Sequence, residues 1–205
     1  MSAYLRRHQP PAEPPGQMLP HRSFHFVRHG ETDWNRLGRF QGRTDIPLNA
    51  RGEAQAMALR PHLATFGFRS IAASPLARAK RTAEILNAGL DLPIHLIDEL
   101  MEFDVGPFAG AADGGDWLAD WRLGGIFPGV ESLGAFATRV QAGITKALSL
   151  EAPVLVVAHG GLIWALEHLL GLPAALDIRN TTLARFEPPA DATRSWRIDI
   201  LVEPA

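Results

Sequence analysis

Val154-Leu155-Val156-Val157-Ala158-His159-Gly160-Gly161 is the stretch on which the fold turns. Five consecutive apolar residues with no polar alternation describe a strand buried on both faces, as in a parallel sheet covered by helices. The run stops at a histidine and two glycines, and Leu162 to Leu170 then reads as a helix. A strand that passes into a helix through a polar, glycine-containing turn is where open α/β sheets place ligands.

The same grammar appears near the start. Ser23 to Val27 reads as a first strand with Phe24, Phe26 and Val27 in a core, and it runs into Arg28-His29-Gly30. A polar, turn-rich loop reaches Leu48 through Gly38, Gln41, Gly42 and Pro47. Asn49 is placed to N-cap a helix running to about Phe66, which Pro61 should kink or split. Arg69 to Ala73 is a second strand. Ser74 and Pro75 then look like the N-cap and first position of a helix carrying Leu76, Ala79, Ala83, Leu86 and Leu90 at helical spacing. Its free N–H groups and dipole would favour an anion, and Arg78 sits in its first turn.

Ile94 to Ile97 is a short strand leading to Glu102. Leu133, Phe136, Val140, Ile144 and Leu148 recur at three and four within an amphipathic helix over 131–150. Thr182–Glu187 and Trp196–Leu201 suggest a closing hairpin. Strands alternating with helices predict a three-layer α/β/α domain with a mostly parallel central sheet. Right-handed crossovers then bring the strand C-termini to one edge. His29, Arg78, Glu102 and His159 all fall near such ends.

With 205 residues, 46% hydrophobic and 20% charged, the chain suits a single globular domain over 23–205. A net charge of −2 gives no sign of a nucleic-acid or membrane-surface binder. The absence of cysteine excludes disulfides, thiolate metal sites and a cysteine nucleophile. Residues 1–22, with five prolines between Pro10 and Pro20, read as a poorly ordered leader without a signal-peptide core. No run is long enough to span a membrane, and the expected location is the cytoplasm. The Gly-, Ala- and Asp-rich stretch over 111–128 reads as a short insertion near the site.

Two arginines, two histidines and a helix start make an anion pocket, and phosphate is its natural guest. Arg28 and Arg78 can clamp the oxygens. A neutral His29 can attack phosphorus. Glu102 can protonate the leaving alkoxide if its pKa is raised, and His159 can bind a phosphoryl oxygen. A zinc site built from the same residues is disfavoured, because the neighbouring guanidinium groups repel a cation.

Arg28-His29-Gly30-Glu31-Thr32 with Trp34-Asn35 resembles the signature of the histidine phosphatase superfamily, also called the phosphoglycerate mutase-like family. Phe40-Gln41-Gly42, Asp45-Ile46-Pro47-Leu48-Asn49, Ser74-Pro75-Leu76 with Arg78, Glu99-Leu100 with Glu102, and Ala158-His159-Gly160-Gly161 follow in that family's order. The resemblance implies a phosphoglycerate mutase-like fold and a phosphohistidine at His29. It also implies phosphate contacts from Arg28, Asn35, Arg78 and His159, a proton donor at Glu102, and no metal or organic cofactor. Gln41, Gly42 and Gly160 are placed with the phosphate-binding residues.

The expected partners are a small phosphorylated metabolite and inorganic phosphate, with no nucleic acid and no membrane. Gly106-Pro107-Phe108-Ala109-Gly110 departs from the family's usual Gly-x-Trp-Glu-Gly, and the insertion is short. A phosphatase is therefore expected rather than a mutase, with a non-catalytic phospho-ligand module as the alternative of another class. His25, Trp34 and Trp164 are assigned to packing. Trp117 and Trp121, four apart, could wall the leaving group from a short helix.

Overall fold

The computed structural model describes residues 19–112, 116–172, 176, 178–191 and 195–204. Residues 1–18 of the expected leader lie outside them. Of the rest of that stretch, Leu19 is buried in the larger core and Arg22 donates to the Leu148 carbonyl at 2.7 Å.

Six strands form one sheet: β1 (Phe24–Arg28), β2 (Ser70–Ala73), β3 (Ile94–Leu96), β4 (Val154–Ala158), β5 (Leu183–Glu187) and β6 (Arg197–Val202). Their order across the sheet is β3-β2-β4-β1-β5-β6. The first four are parallel to one another, and β5 and β6 close the sheet antiparallel, as the hairpin expectation required. With helices on both faces, this is the expected α/β/α arrangement.

Alternation along the strands divides the interior into two cores. Phe24 and Phe26 of β1 and Val154, Val156 and Ala158 of β4 face one core; Val27, Leu155 and Val157 face the other. The continuous apolar run of β4 follows directly, since each of its residues enters one core or the other. The first core packs against α5 (Leu133–Leu148) and α6 (Gly161–Leu170), the second against α2 (Ala50–Leu63) and α3 (Ala77–Asn87). The five apolar positions of the α5 stripe are all buried.

Local differences from the sequence reading have physical causes. Asn49 does cap α2, its side chain accepting the Gly52 N–H at 2.8 Å. Pro61 neither splits nor ends α2, because it falls in the last turn. The carbonyl it leaves without a partner belongs to Met57, an exposed residue. Ser74 is not the cap of α3: its hydroxyl lies 2.8 Å from His159 Nε2, and the helix starts at Ala77. The first N–H of α3 is taken by Asp45 Oδ1 at 2.7 Å, so the anion at this helix start is the protein's own. α5 begins at Leu133 behind the cap Ser132, which frees Glu131 for other work. Trp117 and Trp121 lie on α4 (Asp116–Arg122), as expected. No helix among the described residues is long and apolar enough to cross a membrane.

His25 is structural, as expected. Its ring packs against Phe66 and edge-on to Phe68, and burial with the Arg185 charge lowers its pKa from 6.5 to about 4, against a raising influence of Glu187. Between those values the unfolded chain binds a proton that the folded chain refuses, so stability falls as pH drops from 6.5 towards 4. Replacing His25 with Phe removes this component. Between pH 7 and pH 5, the wild type should lose about 2 kcal/mol more than the variant in denaturant unfolding.

Candidate active site

The parallel register of β1 and β4 pairs Arg28 with Ala158, so the residues that follow, His29 and His159, leave the sheet side by side. Their ring centroids are 5.1 Å apart. The His29 N–H continues the ladder to the Ala158 carbonyl at 2.9 Å. The next peptide is held from two sides. Asn180 Nδ2 donates to the His29 carbonyl at 2.8 Å, and the Gly30 N–H donates to Thr82 Oγ1 at 3.0 Å. A side chain at Gly30 would run into the Gly52 backbone carbonyl, with a Cβ only 2.4 Å from its oxygen.

His29 Nδ1 lies 2.7 Å from the Gly30 carbonyl oxygen, which can only accept. Nδ1 therefore carries the proton, and Nε2 keeps its lone pair. Burial, then the charges of Arg78 and Arg28, press the His29 pKa well below its ordinary value, opposed by the Gly30 carbonyl. The ring is neutral at cell pH.

Arg78 is 1% exposed and yet fully partnered on one side. It donates to the Gly42 carbonyl at 2.7 Å, the Thr44 carbonyl at 2.9 Å and His159 Nδ1 at 3.3 Å. Two of its five N–H groups remain for the pocket it lines. Burial brings its pKa down to about 10, with Glu102 and Asp45 acting against that fall. It stays charged. Because a guanidinium donates to His159 Nδ1, His159 must carry its proton on Nε2, towards Ser74 Oγ. Burial and the Arg78 charge keep this ring neutral too.

The two glycines after His159 have separate steric reasons. A Cβ at Gly160 would press on the Arg28 guanidinium at 3.2 Å, and one at Gly161 would sit 2.2 Å from Glu102 Oε1. Arg28 is anchored by the Ile178 carbonyl at 2.9 Å. Glu102 accepts the Gly161 N–H at 3.1 Å and the Phe103 N–H at 3.1 Å. Burial raises its pKa, and these hydrogen bonds with Arg78 and Arg28 offset only part of that rise.

The cavity between these groups has a volume of about 170 Å³. Arg28, His29, Asn35, Gln41, Gly42, Arg78, Glu102 and Gly160 line it, so eight of the nine site residues expected from sequence converge. The ninth, His159, is wholly buried and lies behind His29 and Arg78, outside the lining. Asn35 Oδ1 accepts the Thr32 N–H and hydroxyl, which fixes the amide of this pocket-lining residue. Gln41 is buried, and its Oε1 has no hydrogen-bond partner among the described residues.

Three aromatic expectations change. Trp121 is wholly buried, stacks on Phe103 and donates Nε1–H to the Glu131 carbonyl at 2.8 Å. Trp117 stacks on Phe108. Neither lines the pocket; Trp164, expected only to pack, does.

Residues 24–198 match the family described as Histidine phosphatase superfamily (branch 1). The chain belongs to the histidine phosphatase superfamily. It is 43% identical over 179 residues to the protein named Uncharacterized phosphatase PhoE of Bacillus subtilis, covering 84% of this chain and 90% of the relative. It is 35% identical to a protein named Probable phosphoglycerate mutase GpmB of Salmonella paratyphi B, covering 80% and 83%. Among solved structures, it resembles a mycobacterial glucosyl-3-phosphoglycerate phosphatase complexed with VO3. That match has a TM-score of 0.75 at 29% identity, over 88% of this chain and 98% of the other.

Sequence reading alone passes over several residues that support this histidine phosphatase site. Thr82 and Asn180 hold the peptide of the nucleophile candidate; Thr82 stands with Ala83 in the family-like run after Ser74-Pro75-Leu76 and Arg78, but its role is not legible there, and Asn180 stands in no motif. Arg139 is the most consequential. From α5 it donates to the carbonyls of Glu99 at 2.9 Å, Met101 at 2.8 Å and Glu102 at 3.2 Å. It also holds both oxygens of Glu131, at 2.9 and 2.8 Å. Glu131 in turn accepts the Asp104 N–H, so one guanidinium shapes the whole segment that carries Glu102. Its position on the polar border of an amphipathic helix was the available signal. Arg139→Met removes the donor of three carbonyls and the guanidinium that holds both oxygens of the half-buried Glu131 carboxylate. Unfolding in denaturant should show a loss of about 3 kcal/mol, with Arg139→Lys intermediate.

Proposed function

We propose that the protein hydrolyses a small phosphorylated metabolite through a phosphohistidine on His29, without a metal ion. The observation that carries this reading is the His29 tautomer. Nδ1–H is committed to the Gly30 carbonyl, so the Nε2 lone pair belongs to a buried, neutral ring between two arginines. Such a ring is a nucleophile for phosphorus, and Arg28 with Arg78 supplies the positive charge that a metal would otherwise bring.

In the first half-reaction Nε2 forms a bond to phosphorus while the phosphorus–oxygen ester bond breaks. The Gly30 carbonyl stabilises the positive charge that develops on the ring. The alkoxide leaves with the proton of Glu102, whose burial and raised pKa suit an acid. In the second, water attacks phosphorus, Glu102 takes its proton, and His29 is released neutral with inorganic phosphate. Asn35 Nδ2, Gln41, the Gly42 and Gly160 backbone and the remaining Arg78 donors surround the phosphoryl oxygens. With a half-turn of its amide, Gln41 would offer Nε2–H to one of them. His159 acts from behind, fixing Arg78 through its Nδ1 rather than lining the pocket. Hydrolysis is favoured over transfer because the phosphatase-named relative shares 43% identity against 35% for the mutase-named one.

Phosphate release from a generic ester in the presence of a chelator tests the activity, and alkaline quench with labelled substrate tests the intermediate. Wild type should retain label in an acid-labile, base-stable form, and His29→Ala should retain none and lose turnover while staying folded. Label retained on the Ala variant would remove His29 from the nucleophile's role. Glu102→Gln should depress kcat/KM for an alkyl phosphate by about 10²–10⁴-fold and for a nitrophenyl phosphate by clearly less, because only the alkoxide needs a proton. Equal losses on both would assign Glu102 to phosphate binding instead.

A further inference from the structure

Trp164 stands between two cavities. One is the phosphoryl pocket, where it joins Ile163, Leu176 and Ile178 in an apolar wall beside the polar floor. The other is a cleft of about 440 Å³ that it borders with Arg122, Glu167 and Leu172. Phe103 and Trp121 pack against this ring, with centroids at 6.0 and 6.2 Å, and the cleft leaves part of it without such packing. What stands there is a charge: the Arg122 guanidinium lies 5.2 Å from the centroid of the Trp164 ring.

Arg122 also donates to Glu167 Oε2 at 3.0 Å, and Glu167 Oε1 accepts the Leu176 N–H at 3.1 Å. Glu167 is 5% exposed, and a carboxylate is seldom so buried unless it is paired. Its two partners come from separate segments that meet at the pocket. Arg122 ends α4 in the insertion, and Leu176 follows α6 in the wall itself. Neither Arg122 nor Glu167 lines the phosphoryl pocket. An ion pair with one member buried and the other partly exposed is a poor source of stability beside apolar packing of equal volume. A positioning role accounts for it better.

We propose that Arg122 and Glu167 are a clasp that holds Trp164 and Leu176 in place as the leaving-group wall, so that the enzyme selects phosphomonoesters whose alcohol carries an apolar face. This rests on reading the pocket as a phosphatase site. Both are positioning residues: Glu167 fixes the backbone of Leu176, and Arg122 backs the Trp164 ring.

Benzyl phosphate and ethyl phosphate separate wall from chemistry, since both release an alkoxide of similar basicity and differ in apolar surface. In Glu167→Gln and Arg122→Met, KM for benzyl phosphate should rise about tenfold, the scale of a few apolar contacts, with kcat held and ethyl phosphate unaffected. Arg122 is at a partly exposed helix end, so its variant folds even where a change at Glu167 does not; circular dichroism checks both. Equal losses on the two esters, or no change on either, would overturn the clasp. Calorimetry with benzylphosphonate and ethylphosphonate gives a readout free of turnover. Wild type should prefer the benzyl compound and the variants should lose that preference. A wild type that binds both but releases no phosphate removes the phosphatase reading, while the preference still judges the clasp. A wild type that binds the two alike, or binds neither, overturns it.

Discussion

The parallel pairing of β1 with β4 is the constraint on which the site depends. Its register sets Arg28 against Ala158, and the ladder extends one step further to the His29 N–H. Two histidines distant in sequence thereby emerge together from the centre of the sheet. A slip of one residue would turn every side chain of β1 to the wrong core. The Phe24 and Phe26 set in one core and Val27 in the other therefore guard the active-site geometry as well as the stability.

Around that pair the protein manages positive charge without neutralising it. Arg78 is buried, but its donors are anchored on two loop carbonyls and the acceptor nitrogen of His159, so it keeps its charge and its direction. The same charge, together with burial, keeps both imidazoles neutral. Glu102 faces the opposite balance, with desolvation outweighing nearby cations and N–H donors. One low-dielectric setting thus holds a base unprotonated and favours a protonated acid, because burial penalises charge of either sign.

Outside this centre, salt bridges work mainly as geometry. Arg139 gathers the segment of Glu102 from behind, and Glu131 completes the knot. Arg122 and Glu167 do the equivalent on the far side, where the insertion, α6 and the following loop meet. In both cases the ion pair also binds backbone groups, which a surface pair does not, and so it orders chain segments that have little regular structure of their own.

Much was legible in the sequence because the relevant signals are local. The unbroken apolar run of Val154–Ala158, the stripe of α5 and the polar turns after strands determine a covered parallel sheet. Arg28, His29, Asn35, Gln41, Gly42, Arg78, Glu102 and Gly160 stand in short motifs whose chemistry can be read one residue at a time. Only the tertiary structure decided the rest, since it depends on contacts between distant segments. Ser74 looks like a helix cap until His159 is seen beside it. His159 is legible as a phosphate ligand, but that its Nδ1 accepts from Arg78 is not. Trp121, expected near the pocket, fills the core, and Trp164, expected to pack, lines the pocket. The tautomer of His29, the support from Thr82, Asn180 and Arg139, and the apolar wall of the pocket all belong to this second class. A side chain's partner across the fold is not encoded in its own neighbours along the chain.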